Sequence, residues 1–358
     1  MNFNINMTAL AGKKLLVAPL DWGLGHATRC IPIIKELLAN GCEVWLAGEG
    51  HQEVLLSKEF PTLNFLPLKG YRVKYAASGL AVKILIQLPR ILSAIKKEND
   101  WLKEQVSNYG FDAIISDNRY GLYHKKIHSV FITHQLSIKS PLGKWSENFL
   151  QQWNYRFVNH FSECWVPDEE DENNLAGELS HPETFPTIPV KYIGALSRFS
   201  FSPPMSGSGV TKNHLLIILS GPEPQRSLFE NIIVEQIAQY NGTATIVRGL
   251  PLATDILPST NTIRFYNHLP TDLLKEEMTK AEFIISRCGY STVMDIAVMK
   301  KKSILIPTPG QPEQEYLAGY LMNKRFAFCI SQKEFSLTHS IEKARVFEYI
   351  DHSTNNMG

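Results

Sequence analysis

The chain has 358 residues, of which 44% are hydrophobic, and its 36 basic and 35 acidic residues leave a formal net charge of +1. This balance gives no indication of a nucleic-acid partner, and the length exceeds what one ordinary core supports, so two domains are expected. Five cysteines without closely spaced pairs indicate a reducing, cytoplasmic compartment. The apolar run Leu15–Leu20 is far too short for a signal peptide or a membrane span.

The first predicted element is a strand over Lys14–Pro19, which follows a tail, residues 1–12, that we expect to be loose. The turn Gly23-Leu24-Gly25-His26 then leads into a helix, and a second strand follows over Cys42–Ala47. This order is typical of a Rossmann-like βαβ unit, which binds ligands beyond the carboxyl ends of its strands. A histidine directly after Gly-x-Gly is a more specific signal than the glycines alone, although a polar residue at a helix start explains His26 as well.

The segment 79–97 combines apolar residues with four basic ones, Lys83, Arg90, Lys96 and Lys97. One interpretation is a basic amphipathic segment that lies on an anionic membrane surface. The other is an ordinary helix that packs on the sheet and is interrupted near Pro89. The sequence favours the second interpretation and leaves some exposed apolar surface compatible with it.

Two more strands are predicted at Phe111–Ser116 and Val130–Thr133, and polar residues follow each of them. Asp117 and Asn118 come after the first strand, and His134 and Gln135 come after the second. Asp117 can equally cap a following helix. His124 and His128 lie four residues apart without a third ligand, so the sequence predicts no metal site. Cys164–Asp168 is the expected last strand of this half, and the Ser-, Gly- and Pro-rich residues 199–213 form the expected linker.

The second half is predicted to contain a strand–helix–strand–helix unit after three earlier strands, Leu215–Leu219, Ala244–Val247 and Thr262–Phe265. Its own strands are Phe283–Ile285 and Ser303–Ile306, and a helix capped by Thr292 lies between them. Backbone N–H groups at that helix start suit a pyrophosphate, and Gly289 allows close approach. Asp295 suits two ribose hydroxyls, although Thr292 and Asp295 can also form a simple capping box.

The string from Ser286 to Asp295 resembles the Arg-x-Gly-x-Ser/Thr-Thr…acid segment of the family 28 glycosyltransferases of GT-B fold. The Gly-rich loop with His26, the His134-Gln135 loop and the segment Tyr192–Arg198 resemble three further motifs of that family, in the same order. The resemblance implies an α/β protein with two Rossmann-like doubly wound domains that face each other across a cleft. It also implies a UDP-sugar as substrate, without a metal or other cofactor.

The resemblance also implies roles for individual residues. His26 becomes the general base that acts on the acceptor hydroxyl, or a hydrogen-bond donor to the phosphates of the donor. Acceptor binding falls to Gly23, Gly25, Asp117, Asn118, His134 and Gln135. Donor binding falls to Arg198, Ser220, Gly221, Leu269, Arg287, Gly289, Ser291, Thr292, Asp295, Gln314 and Glu315.

The implied organisation is an acceptor-binding domain (1–198), the linker (199–213), a nucleotide-sugar-binding domain (214–335) and a helix (336–358) that crosses back to the first domain. The implied reaction is inverting transfer of an N-acetylhexosamine or hexose to an unknown acceptor, lipid-linked or part of a cell-envelope glycan. Peripheral contact with the inner membrane surface would follow. Gly23–Arg29 also resembles the UDP-sugar hydrolase of pseudaminic acid synthesis, so a hydrolase in which His26 activates water is the alternative. A non-enzymatic binder of nucleotide-sugars is a third interpretation.

Overall fold

The computed structural model describes residues 7–71, 80–200 and 209–350, and the chain divides into two compact units, Met1–Ser200 and Phe201–Gly358. The boundary falls at the start of the predicted linker, of which residues 201–208 lie outside the described residues. Each unit has a parallel sheet with helices between its strands. The two-domain α/β architecture predicted from the sequence is therefore confirmed.

The first unit is built on a seven-stranded sheet with the order β3-β2-β1-β4-β5-β6-β7, and all of its pairings are parallel. Its elements in chain order are β1 (Lys14–Pro19), α1 (Leu24–Ala39), β2 (Glu43–Gly48), α2 (His51–Glu59), β3 (Asn64–Pro67), α3 (Leu80–Tyr109), β4 (Ala113–Asp117), β5 (His128–Ile132), α4 (Lys144–Val158), β6 (Glu163–Val166) and β7 (Val190–Tyr192). Short 3₁₀ turns add Met7–Leu10 and Gly177–Leu179. The central strands are enclosed on both faces, as expected of a parallel sheet covered by helices.

The second unit repeats this arrangement with a six-stranded parallel sheet of order β10-β9-β8-β11-β12-β13. Its elements are β8 (His214–Ile218), α5 (Gln225–Ile237), β9 (Thr243–Val247), β10 (Ile263–Tyr266), α6 (Thr271–Lys280), β11 (Phe283–Arg287), α7 (Tyr290–Met299), β12 (Ser303–Ile306), α8 (Pro312–Asn323), β13 (Phe328–Cys329) and α9 (Leu337–Val346). In both sheets the first strand of the unit lies centrally, next to the fourth. The strand order reverses between those two strands, which is where open α/β sheets bind ligands.

Three expectations about local structure are wrong. Residues 7–12 are not a loose tail, because Met7 and Leu10 are buried. The first sheet does not end with the strand around Cys164, because β7 pairs beyond it. The helix α3 continues through Pro89, since the loss of one backbone donor does not outweigh the packing of Ile95 and Leu102 further along.

The C-terminal helix α9 packs on the second unit through Leu337, Ile341 and Ala344, which belong to that unit's apolar core. Its predicted contact with the first domain stays a prediction. The final residues, 351–358, lie outside the described residues. Within the described parts of the chain, no helix is both long and apolar enough to cross a membrane.

Candidate active site

The loop between β1 and α1 carries the first candidate residue, His26. Gly23 caps the helix with a φ of +84°, a backbone conformation that favours glycine over residues with a side chain. The helix begins at Leu24, so His26 lies in its first turn, and Arg29 follows one turn later on the same face. Gly25 contributes its carbonyl, which accepts a 3.0 Å hydrogen bond from the Thr28 hydroxyl.

Asp117, the last residue of β4, is fully buried beside this helix face. Nε of Arg29 donates to its Oδ2 at 2.8 Å, Nη2 of Arg29 contacts its Oδ1, and Nδ1 of His26 lies 3.2 Å from Oδ2. Burial alone would raise the pKa of Asp117, but the charge of Arg29 and then the contact with His26 lower it to about 2. The capping interpretation of Asp117 is wrong, because no helix follows for it to cap. Its acceptor-binding role stays a prediction.

Arg29 brings a third predicted residue into this cluster. Its Nη1 lies 3.2 Å from Nδ1 of His134, which follows β5 and is 5% exposed. One guanidinium therefore contacts Asp117, His26 and His134. Sequence reasoning did not single out Arg29, although its position three residues after His26 in a helix was an available signal.

The imidazole of His26 lies at the edge of the cluster, with 15% of its side chain exposed. Burial, and then the charge of Arg29, lower its pKa, while Asp117 partly opposes that shift. His26 is therefore neutral at physiological pH. A neutral imidazole that is held at one nitrogen and partly exposed can accept a proton at the other.

Asn118 and Gln135 border the cluster. Asn118 has a φ of +58°, which is uncommon for a residue with a side chain, and its Oδ1 is buried without a hydrogen-bond partner. The backbone N–H of Asn118 donates to Ile132. The N–H of Gln135 donates to the Thr133 hydroxyl at 3.0 Å. Asn118 thus offers a buried acceptor atom close in sequence to Asp117, as a substrate-binding residue would.

A second buried ion pair supports the loops around the cluster. Arg119 is fully buried, and its Nε lies 2.5 Å from Oε1 of Glu98 in α3. Nη2 of Arg119 donates to the carbonyl of Lys69 at 2.6 Å. The other carboxylate oxygen of Glu98 accepts hydrogen bonds from the Tyr71 hydroxyl and the N–H of Gly121. These contacts fix the loops after β3 and β4 relative to α3.

In the second unit, α7 begins at Tyr290, and Gly289 is its N-cap. Thr292 is therefore not the cap, because its N–H already donates to the Gly289 carbonyl at 2.9 Å. Asp295 lies in the second turn and is 5% exposed, too far along the helix for a capping box. The capping interpretation of Thr292 and Asp295 is wrong. Ser291 and Thr292 are partly exposed in the first turn, where backbone N–H groups suit an anion.

Arg287, at the end of β11, is 1% exposed. Its Nη2 donates to the Gln225 carbonyl at 2.9 Å and to Oε1 of Gln332 at 2.6 Å, and its Nη1 donates to the Pro307 carbonyl at 3.4 Å. The guanidinium also lies over the ring of Phe229, and burial lowers its pKa to about 10. Arg287 was predicted to bind the donor directly. That role stays a prediction, and the guanidinium turns inward, where it joins the loops that follow three strands.

Gln314 and Glu315, in the first turn of α8, both close the loop before that helix. Oε1 of Gln314 accepts from the Thr308 N–H, and Oε1 of Glu315 accepts from the Gly310 N–H, each at 2.9 Å. Gln314 is buried, whereas Glu315 is exposed. Their contact with a sugar stays a prediction, and their loop contacts give each a structural role as well.

The other predicted donor residues are distributed over both units. Ser220 and Gly221 follow β8, and Gly221 has a φ of +108° with open space where a side chain would lie. Leu269 follows β10 with its side chain buried, which leaves its backbone for the predicted contact. Arg198 belongs to the first unit and stacks near Phe199. In the described part of the chain, no group of three or more His, Cys, Asp or Glu side chains is arranged to hold a metal ion.

Comparison with known proteins agrees with this architecture. The family model "Glycosyltransferase family 28 C-terminal domain" matches residues 259–354, which include α7 and α8. A UDP-N-acetylglucosamine--N-acetylmuramyl-(pentapeptide) pyrophosphoryl-undecaprenol N-acetylglucosamine transferase of Haemophilus ducreyi is 22% identical over 341 residues, or 90% of this chain and 86% of the relative. The crystal structure of Acinetobacter baumannii MurG superimposes with a TM-score of 0.54 at 15% identity, over 94% of this chain and 91% of that one. The C-terminal part of the chain thus matches the family 28 domain, and the chain is similar to MurG along most of its length.

Further comparisons show that this MurG-like protein has the GT-B fold. The spinosyn rhamnosyltransferase SpnG, in complex with thymidine diphosphate, has a TM-score of 0.59 at 16% identity, over 93% of this chain and 91% of that one. An uncharacterised glycosyltransferase of Methanosarcina mazei is 20% identical over 356 residues, or 89% of this chain and 86% of the relative. The structural likeness shows the GT-B fold of the MurG-like protein.

Proposed function

We propose that the protein transfers a sugar from a UDP-sugar to an acceptor hydroxyl with inversion, and that His26 is the general base. The acceptor hydroxyl gives its proton to Nε2 of His26 while its oxygen bonds to the anomeric carbon. The bond from that carbon to the diphosphate oxygen breaks, and UDP leaves with the electron pair. The observation that carries the proposal is the contact of His26 with the buried, ionised Asp117 at 3.2 Å.

This contact supports a base because of what each group supplies. In the proposed reactive tautomer, Nδ1 of His26 donates a hydrogen bond to Asp117 and Nε2 is unprotonated. Burial and Arg29 keep the pKa of His26 low, so the imidazole is neutral before the reaction. After proton transfer, Asp117 stabilises the imidazolium, as the carboxylate does in other His–Asp pairs.

The second unit is the proposed site of the nucleotide. The N-terminus of α7, with Gly289 and Ser291, offers backbone N–H groups to a diphosphate. Asp295 is the proposed ligand of the ribose hydroxyls. The names of the H. ducreyi and SpnG comparison proteins, a transferase with UDP-N-acetylglucosamine in its name and a complex with thymidine diphosphate, support a pyrimidine nucleoside diphosphate. An N-acetylhexosamine or a hexose is the proposed sugar.

The proposed acceptor is lipid-linked or part of a cell-envelope glycan. The H. ducreyi relative is named for a pyrophosphoryl-undecaprenol acceptor, which carries a long apolar chain. In this chain, apolar side chains lie exposed where α4 begins: Leu142 is 53%, Trp145 71% and Phe149 63% exposed. They follow the loop that starts at His134, so an apolar portion of an acceptor can lie near the proposed base. Peripheral contact with the inner membrane surface is part of this proposal.

Release of UDP from a panel of UDP-sugars, with and without lipid extract, tests the function. The proposal predicts release that depends on both one UDP-sugar and the extract. Release without extract would identify a hydrolase, and binding of UDP without any release would identify a non-enzymatic binder. We expect the rate to persist in excess chelator, because helix N-termini and Arg198 would stabilise the leaving diphosphate. A loss that magnesium restores would contradict that part.

A further inference from the structure

The turn between β1 and α1, residues 20–23, leads directly to His26. Its first residue, Leu20, is 3% exposed, and the N–H of Leu20 donates to the carbonyl of Asp117 at 2.9 Å. Its last residue, Gly23, is exposed and is the N-cap of α1. The backbone of this turn therefore links Asp117 to the start of the helix that carries His26.

Gln52, in the first turn of α2, holds both ends of this turn. Its side chain is buried, and its Nε2 donates to the carbonyl of Gly23 at 3.1 Å and to the carbonyl of Leu20 at 3.4 Å. Carbonyl oxygens only accept hydrogen bonds, so the NH₂ group of the amide, with its two donors, is the group that faces them. The two hydrogen bonds of one buried amide thus fix the ends of the turn relative to each other.

A second contact holds the middle of the turn. Oδ1 of Asp21 accepts a hydrogen bond at 3.0 Å from the N–H of Tyr71, in the loop after β3. A Cβ on Gly70 would collide with the carboxylate of Asp21, so this close approach of the loop requires a glycine. The N–H of Gly70 in turn donates to Oε1 of Glu49, just after β2, at 2.8 Å. Residues that follow β2 and β3 therefore determine where the turn lies.

We propose that Gln52 is a positioning residue for the proposed base. It fixes the carbonyls of Leu20 and Gly23 and thereby keeps the first turn of α1, with His26, in place beside Asp117. The role of His26 rests on the proposed function, whereas the control of the turn by Gln52 does not. Gln52 acts through the turn and need not touch a substrate.

Amide hydrogen exchange measured by NMR tests the control of the turn without any substrate. The variant is Gln52→Met, which keeps the length of the side chain and removes its donors. We expect the Leu20 N–H to exchange about tenfold or more faster than in the wild type, because local opening of the turn exposes it. The N–H of Ile193, which donates to the carbonyl of Val166 in the same unit, should keep its wild-type rate. Unchanged exchange at Leu20, or equal acceleration at Leu20 and Ile193, would overturn the proposal.

A double-mutant cycle on turnover, measured as UDP release with lipid extract present, tests the link to His26. Displacement of a reacting group by about 1 Å costs up to about a hundredfold in rate, so Gln52→Met is expected to lower turnover by about tenfold or more. In the His26→Ala background, the same substitution should change the remaining turnover by less than about twofold, because no base remains to be positioned. Gln239→Met, at an exposed position after α5, is the matched control and should leave turnover unchanged.

The outcomes of the cycle separate the positioning role from a role in the fold. An equal loss in both backgrounds would mean that Gln52 supports the fold rather than the base, and would refute the proposal. Near-wild-type turnover in Gln52→Met would refute it as well. Near-wild-type turnover in His26→Ala would refute the proposed function of His26, while hydrogen exchange decides independently whether Gln52 holds the turn.

Discussion

Each unit has a buried arginine near the point where the strand order of its sheet reverses: Arg29 lies in α1, after the first strand, and Arg287 ends β11. Arg29 faces a carboxylate and two imidazoles, whereas Arg287 faces two backbone carbonyls and a glutamine amide. Both are almost fully enclosed. The charge of the first therefore lowers the pKa values of Asp117 and His26, and the second joins the loops around it.

The different surroundings of Arg29 and Arg287 show how one architecture can support two functions. The strand order of the second sheet matches that of the first six strands of the first sheet, so the fold alone does not distinguish the units. The distinction comes from a few side chains at the carboxyl edges. Titratable groups at the carboxyl edge of the first sheet suit proton transfer, and the N-terminus of α7 at the carboxyl edge of the second suits an anionic nucleotide.

The largest expected effect is on stability, from Asp117→Ala. The substitution leaves the guanidinium of Arg29 buried without its counter-ion, which costs about 3–5 kcal/mol. The free energy of unfolding in urea measures the loss. The exposed Asp100, which pairs with Lys103 three residues on, is the matched control, and Asp100→Ala should cost less than about 1 kcal/mol. Equal costs for both variants would mean that the ion pair of Arg29 and Asp117 is not a buried one.

The ion pair of Arg29 and Asp117 is expected to stabilise the protein less as the pH falls. The pKa of Asp117 is about 2 in the folded chain, below its ordinary value of 3.8, so its stabilisation is present above about pH 4 and disappears as the pH falls to about 2. A shift of this size corresponds to roughly 2 kcal/mol. The stability gap between wild type and Asp117→Ala should narrow by that amount between these pH values. A gap that is independent of pH would contradict the ionised state of Asp117.

The next prediction tests nucleotide binding by the second unit. If the carboxylate of Asp295 binds the ribose hydroxyls, Asp295→Ala weakens UDP binding by about 2 kcal/mol, the cost of lost charged hydrogen bonds. Calorimetric titration with UDP measures it. Asp272, exposed in the first turn of α6, is the control acid in the same unit. An unchanged UDP affinity in Asp295→Ala would remove the ribose contact.

Arg287→Met is expected to have a smaller effect on stability. It tests whether Arg287, unlike Arg29, lacks an ionic partner in its cluster. The substitution leaves loop carbonyls without donors and should cost roughly 1–2 kcal/mol of stability. Because no partner of Arg287 in this cluster is a carboxylate, the cost should stay constant between about pH 4 and pH 8. The exposed Arg264 of β10, changed to Met, provides the control. A cost that depends on pH would show that Arg287 has an ionic partner after all.

The strands were largely predictable because their apolar runs are short and bounded by turns, as in Lys14–Pro19 and Ser303–Ile306, where the predicted and observed ends coincide. The edge strand β7 was not, since it has three residues and only partial burial. His26 and His134 were recognisable as polar residues that follow strands. The roles of Arg29 and Arg287 were not, because an arginine in a helix or at a strand end does not reveal which distant atoms surround its guanidinium.

The measurement that tests the central claim most directly is made on His26→Ala, with turnover and UDP affinity determined on the same preparation. The account predicts a loss of turnover of about a hundredfold or more, because the proton of the acceptor hydroxyl loses its base. UDP affinity should stay near that of the wild type, since the nucleotide is assigned to the second unit. Near-native turnover would contradict the assignment of the base to the first unit. A loss of UDP affinity of about a hundredfold would contradict the assignment of nucleotide binding to the second unit.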